Sequence, residues 1–221
     1  MKVLVACEFS QVVTKAFRDK GHEAYSCDIL PTDGNSNWHI QDDVMNHLKD
    51  GWDLMIAHPP CTYLSNAGIG WFNEEKYGDK AKQRKLSRLD AHQFVMLLFN
   101  SNIPKICIEN PTGWLNSHWR KPDQIIQPYQ FGDTESKRTC LWFKNLPLLK
   151  HTKIVKPKIY GYYKTGNKKG QPIYGNSWQK RSSDRWKERS ITFQGIADAM
   201  AEQWGSLELI TSHNFREVMR E

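Results

Sequence analysis

The sequence predicts an α/β fold, a doubly wound and mostly parallel sheet with helices on both faces. Three observations carry this. Short apolar, β-branched runs recur along the chain, segments of helical spacing separate several of them, and polar residues close the runs in the turns that follow. Lys2–Cys7 (KVLVAC) is the first strand. Val12–Lys20 has helical spacing and Gly21 as its stop. His22–Cys27 (HEAYSC) is a second strand, closed by Asp28. Asp43–Lys49 is expected as a short helix and Trp52–Ala57 (WDLMIA) as a buried strand. Trp71–Arg84 is polar and charged and is expected as a loop over the site, whereas Leu86–Asn100 is amphipathic and long enough for a helix. Pro104–Ile108 is another buried strand, ending at Glu109; Thr139–Phe143 is a further strand, and Ile191–Trp204 a closing helix. The alternation is Rossmann-like.

Bulk properties narrow the class. With 221 residues, 39% hydrophobic and 25% charged, the chain suits one globular domain with a small appendage. A net charge of +7 favours a polyanionic partner. The five cysteines, Cys7, Cys27, Cys61, Cys107 and Cys140, form no C-x-x-C pair, which argues against structural zinc and a disulfide framework. The Met1–Cys7 run is cut off by Glu8 and lacks a signal-peptide core, and no run reaches the ~18 apolar residues of a membrane span. A cytoplasmic protein with no membrane and no metal is expected, as a monomer.

Residues 151–190 differ from the rest. They hold eleven Lys and Arg against Asp184 and Glu188, a net charge of +9 that exceeds that of the whole chain. Tyr160, Tyr162, Tyr163, Tyr174, Trp178 and Trp186 are interleaved with them, without helical period. Cations among aromatics suit phosphates and unstacked bases; a solvated loop with a few pinned aromatics is the plainer alternative. The domain reading is residues 1–150 plus 191–221 as one catalytic unit, with 151–190 as a small irregular insert. Lys168, Lys169, Lys180, Arg181 and Arg185 are its candidate DNA contacts.

In such a sheet, ligands bind beyond the carboxyl ends of the strands. Glu8-Phe9-Ser10, Asp28, His58-Pro59-Pro60-Cys61 and Glu109-Asn110-Pro111 all fall at predicted strand ends. An acid closing the second strand suits a ribose diol, although such acids are also frequent in turns. The first turn lacks G-x-G-x-x-G, which disfavours a dinucleotide, whose pyrophosphate needs close backbone approach. Two prolines stiffen the loop that presents Cys61, and a thiol in a rigid polar loop past a strand end suits nucleophilic chemistry. Cys107, inside a strand, reads as a small buried hydrophobe. Glu109 becomes a useful partner for a thiolate if it is held protonated as an acid. A capping carboxylate in an Asx-Pro turn is the alternative.

Together these segments resemble the DNA cytosine carbon-5 methyltransferases, in particular the small versions frequent in bacteriophage genomes. Ala57-His58-Pro59-Pro60-Cys61-Thr62-Tyr63-Leu64-Ser65 is similar to the family's Pro-Cys loop, and Glu109-Asn110-Pro111 to its Glu-Asn-Val motif. Ala6-Cys7-Glu8-Phe9-Ser10 resembles the cofactor turn, Asp28 the ribose acid, and Asp43 (or Asp42) the acid that meets the adenine amine. Lys137-Arg138-Thr139-Cys140-Leu141-Trp142 resembles the basic motif before a late strand, and Gly195–Trp204 the closing helix. The likeness spans roughly residues 3–143 and 191–205. The chain departs from the pattern at Gln11, where the family has glycine, and at Cys140, where it has a second arginine; the Asn of the final motif is missing.

The resemblance implies a sheet of the S-adenosylmethionine-dependent methyltransferase type, with adenosylmethionine held by Phe9, Ser10, Asp28, Asp43 and Pro59. It implies double-stranded DNA as partner and a flipped cytosine as substrate. Cys61 attacks carbon-6, Glu109 serves ring nitrogen-3, and Arg138 holds the base carbonyl or a phosphate. Three rivals stay open: carbon-5 methylation of a free cytosine nucleotide, an amino-methyltransferase, and a non-catalytic DNA-binding relative.

Overall fold

The structure is a computed structural model that describes residues 1–175, 187 and 190–207. Its seven-stranded sheet has the order β3-β2-β1-β4-β5-β7-β6. The strands are β1 (Lys2–Ala6), β2 (Glu23–Cys27), β3 (His39–Ile40), β4 (Leu54–Ala57), β5 (Lys105–Pro111), β6 (Gln124–Ile126) and β7 (Thr139–Lys144). β7 runs antiparallel to both β5 and β6, and the other pairings are parallel.

The two-residue period of a strand explains why the central strands are apolar throughout. Val3 and Val5 of β1, Leu54 and Ile56 of β4, Cys107 and Leu141 face one core. It is closed by α1 (Val12–Asp19) and the last helix, α5 (Gln194–Gly205), through Val13, Phe17, Met200 and Trp204. Leu4, Ala6, Met55, Ala57, Ile106, Ile108 and Trp142 face the opposite core. There α3 (Asp79–Phe99) packs through Val95 and Leu98, and α4 (Trp114–His118) through Leu115. Trp142 and Trp204 are fully buried, and each indole N–H finds a carbonyl: Arg120 O and Pro147 O, both at 3.0 Å.

Several elements differ from the sequence expectation. Asp43–Lys49 forms only a 3-10 turn, Val44–Asn46, while the Trp52 indole takes up the His47 carbonyl at 2.7 Å. Trp71–Arg84 is not a loop. It holds the end of a 3-10 segment (Asn66–Phe72), the four-residue α2 (Glu74–Tyr77) and the start of α3. The Lys, Ala, Gln and Arg at the start of α3 are strong helix formers, but they carry no apolar stripe to betray it. Leu86 and Leu89 are more than half exposed, so α3 buries less of its apolar side than its pattern suggests. The described part of the insert contains one short antiparallel hairpin, β8 (Ile159–Tyr162) and β9 (Pro172–Tyr174), whose register shifts between Ile159 and Gly161.

Candidate active site at the carboxyl edge of the sheet

The strand order reverses between β1 and β4, which opens a crevice at their carboxyl ends. The turn after β1 is built by compensation. Glu8 is buried and accepts from the Val13 and Thr14 N–H groups at 2.7 and 3.2 Å and from the Thr14 hydroxyl at 2.7 Å. It therefore caps α1, where a carboxylate also meets the favourable end of the helix dipole. Gln11 holds φ 59°, the left-handed conformation for which glycine is the usual choice. Its amide offsets the strain, donating to Ser26 Oγ (3.0 Å) and Asn35 O (2.9 Å) and accepting from Asn35 N–H (2.7 Å). Glutamine thus keeps the shape of a glycine turn.

Asp28 ends β2, and one of its oxygens accepts its own turn's Leu30 N–H at 2.9 Å. Asp43 caps the following 3-10 turn through Met45 N–H, and Asp42 is engaged by Asn46 and His47. Burial, followed by the charges of Asp28, Cys27 and Asp43, pushes the Cys7 thiol far up. Burial, followed by the charges of Asp42, Asp28 and Asp43, likewise drives the Cys27 thiol up to about 12. Phe9 is buried at the pocket between the β1 turn and Thr192, with the Lys187 ammonium 5.7 Å from its ring centre.

Of the five cysteines, Cys61 alone is exposed. Burial drives the Cys107 thiol well up, helped by the charges of Glu109 and Asp123, which leaves it an inert core residue. The Cys61 loop is tied on two sides. Asn110 Nδ2 donates to Pro59 O at 2.8 Å, Trp114 N–H to Leu64 O at 2.7 Å, and Asn66 N–H to Thr112 O at 3.2 Å. From α3, Arg84 reaches Thr62 O and Arg88 reaches Tyr63 O, both at 3.0 Å. Gly113 permits the closest approach, since a Cβ there would stand 2.0 Å from Leu64 O. Pro59 is buried and Pro60 exposed, so the first proline anchors the loop and the second presents it.

Glu109 lies within β5 rather than past its end, because antiparallel pairing with β7 continues through Glu109–Leu141 and Asn110–Cys140 to Pro111–Thr139. Its side chain is 17% exposed, and Oε2 lies 3.5 Å from His58 Nδ1. Burial raises the Glu109 carboxyl, but the hydrogen bond from His58 and the charges of Lys137 and His58 outweigh it, so the net shift is downward. These causes favour the charged form of Glu109 over the protonated acid that a partner of a thiolate would have to be. Arg138 is exposed just before β7, and its neighbour Lys137 is the cation that acts on Glu109. Sequence reasoning did not single out His58 or Lys137; a histidine directly before the Pro-Pro-Cys run was the available signal.

Ser10 and His58 line a pocket of about 40 Å³ between the β1 turn and Ser190–Thr192. It has room for little more than a water molecule or two, so most of a nucleoside-sized ligand would lie in the open crevice. Lys168 and Lys169 are exposed at the hairpin tip; Lys180, Arg181 and Arg185 lie outside the described residues. Among the described residues no helix is long and apolar enough to cross a membrane, and no group of three or more His, Cys, Asp or Glu is placed to hold a metal ion. No protein-family model matches the chain, and no curated protein matches it.

Proposed function

We propose that the chain is a DNA cytosine carbon-5 methyltransferase that works through a covalent Cys61 adduct, with adenosylmethionine as donor. One observation carries the reading: the single exposed thiol is held in a pinned Pro-Pro loop at the sheet's carboxyl edge, tied by Asn110 to the strand that presents Glu109. The chemistry explains why such a pairing is useful. Carbon-5 of neutral cytosine is a poor nucleophile, and addition of a thiolate at carbon-6 makes it an enamine carbon. A proton at ring nitrogen-3 absorbs the charge that the addition creates, which is the role of Glu109. Arg138 is exposed beside that edge, where a fork-shaped cation can hold a carbonyl or phosphate oxygen.

Asp28 and Asp43 would hold the donor's ribose and adenine, with Ser10 and Pro59 at the crevice wall; the donor supplies an electrophilic methyl group. Lys168 and Lys169 at an exposed hairpin tip favour a polymeric substrate over a free nucleotide. The test is mass spectrometry of nucleosides from duplex DNA incubated with protein and adenosylmethionine. 5-Methylcytosine is expected from wild type and not from Cys61→Ser, with both proteins folded. A duplex carrying 5-fluorocytosine should trap wild type covalently and leave the variant free. Methylation or trapping by Cys61→Ser would remove the mechanism.

A further inference from the structure

His58 closes β4 directly before the two prolines, its backbone N–H bound to Ala6 O at 2.9 Å and its side chain 8% exposed. One ring nitrogen, Nδ1, lies 3.5 Å from Glu109 Oε2. The other, Nε2, is buried and has no hydrogen-bond partner among the described residues. The residue also lines the small pocket that carries the hydroxyls of Ser10, Ser190 and Thr192. A histidine kept only for packing satisfies both nitrogens or reaches solvent with one. This one does neither, and it touches the carboxyl on which the proposed chemistry depends.

We propose that His58 is the positioning residue of Glu109: across the 3.5 Å contact it orients the carboxyl and shares one proton with it, and that proton stands on the carboxyl once cytosine has entered. This inference rests on the cytosine reading above. Among the described residues, the titratable groups around the pair are Lys137, the buried Cys107 thiol two positions before Glu109 on β5, and the β1 turn. Lys137, from the segment before β7, acts on Glu109 and favours the carboxylate. Cys7 and Glu8 of the β1 turn line the pocket with His58, and the Glu8 carboxylate is already taken up by α1. An entering base covers the remaining exposure of Glu109. Two adjacent charges then lose solvation, and the neutral pair becomes the favoured form. The carboxyl proton then faces ring nitrogen-3.

The step balances. As the Cys61 sulfur bonds to carbon-6, the carbon-5–carbon-6 π electrons shift toward carbon-5 and the ring, nitrogen-3 takes the Glu109 proton, and Glu109 is left as a carboxylate beside a neutral His58. Carbon-5 then takes the donor's methyl group as the donor's sulfur–methyl bond breaks and the donor departs as a neutral thioether; the carbon-5 proton leaves to water and the sulfur–carbon-6 bond breaks, returning Cys61 as a thiolate. Nitrogen-3 then returns its proton to the pair. Only the carbon-5 proton is released; the shared proton is borrowed.

The experiment has three arms. Wild type must first form 5-methylcytosine; if it does not, the functional reading itself falls. In the second arm, His58→Gln, Glu109→Gln and the double variant are compared by methylation and by exchange of the carbon-5 hydrogen for deuterium without donor, with melting curves for folding. Each single variant should lose about 10²–10³-fold in kcat, as general acid catalysis does, with KM for duplex and donor little changed. The double variant should be no slower than the slower single one. In the third arm, nitrogen NMR of wild type should find the His58 ring signals changed between the free enzyme and the 5-fluorocytosine adduct, and the same change absent in Glu109→Gln. If wild type methylates but the losses multiply, His58→Gln keeps its rate, or the ring state does not change, His58 has no part in the proton transfer.

Discussion

Asn110→Ala separates the pinning of the nucleophile loop from the stability of the fold. Asn110 is 1% exposed; its Nδ2 donates to Pro59 O at 2.8 Å, while its Oδ1 is buried without a partner. Removing the side chain strands the Pro59 carbonyl, a cost of about 1–3 kcal/mol, but it also removes an orphaned acceptor whose burial costs a comparable amount. The net loss should be about 1 kcal/mol, or roughly 2–4 °C in melting temperature for a chain of this size. Activity should respond far more, because a displacement of ~1 Å at a reacting group costs on the order of 10²-fold. The assay is the initial rate of 5-methylcytosine formation beside a thermal melt. A fall of more than about 10 °C would make Asn110 a pillar of the fold rather than of the loop. A rate within about threefold of wild type would show that the Trp114, Arg84 and Arg88 ties suffice, and the reasoning would fail. Asn110→Asp serves as the contrast: a carboxylate against the Pro59 carbonyl and beside Glu109 should cost several kcal/mol.

At Gln11, glycine relieves the left-handed strain while alanine keeps it, and both lose the three amide hydrogen bonds, so urea unfolding should find Gln11→Ala less stable than Gln11→Gly by about 1 kcal/mol; the reverse order would mean the turn is not strained. Because the folded Glu109 carboxyl is lowered, it stabilises the fold above the ordinary glutamate value, and this is lost as pH falls through the lowered folded value. The stability gap between wild type and Glu109→Gln should accordingly narrow on acidification below about pH 4, and a widening gap would contradict the ion pair with His58. Replacing Lys168 and Lys169 by alanine should lower the slope of log affinity for duplex DNA against log salt by about 1–2, and an unchanged slope would place the phosphate contacts elsewhere.

Much of the fold was legible because the central strands are apolar on both faces and each ends in a distinctive polar cluster. β1, β2, β4, β5, β7 and the two helices of the first core lie close to where periodicity places them. Elements with two to five residues, such as β3, β6 and α4, offered too short a pattern to read. The early start of α3 was hidden for another reason: its first two turns are charged helix formers, so propensity was present but the apolar stripe was not.

The sequence by itself determined the alternation of strands and helices, and with it the carboxyl edge where Cys61 and Asp28 stand, because these follow from local pattern and from one topological rule. It also separated Cys61 in its proline loop from Cys107 within a strand, whereas Asp43 came from the family resemblance and not from the local pattern. Only the tertiary structure decided what those residues meet. Glu8 caps α1, Gln11 holds a glycine-like turn by bonding across to Asn35, and Asn110 reaches Pro59 from 51 positions away. His58 lies against Glu109 across the same separation and pushes its carboxyl toward the charged form. The reason is physical: strand ends follow from local pattern, but the charge of a buried carboxyl depends on the sum of burial, hydrogen bonds and neighbouring charges, which exists only once distant segments share one edge of the sheet.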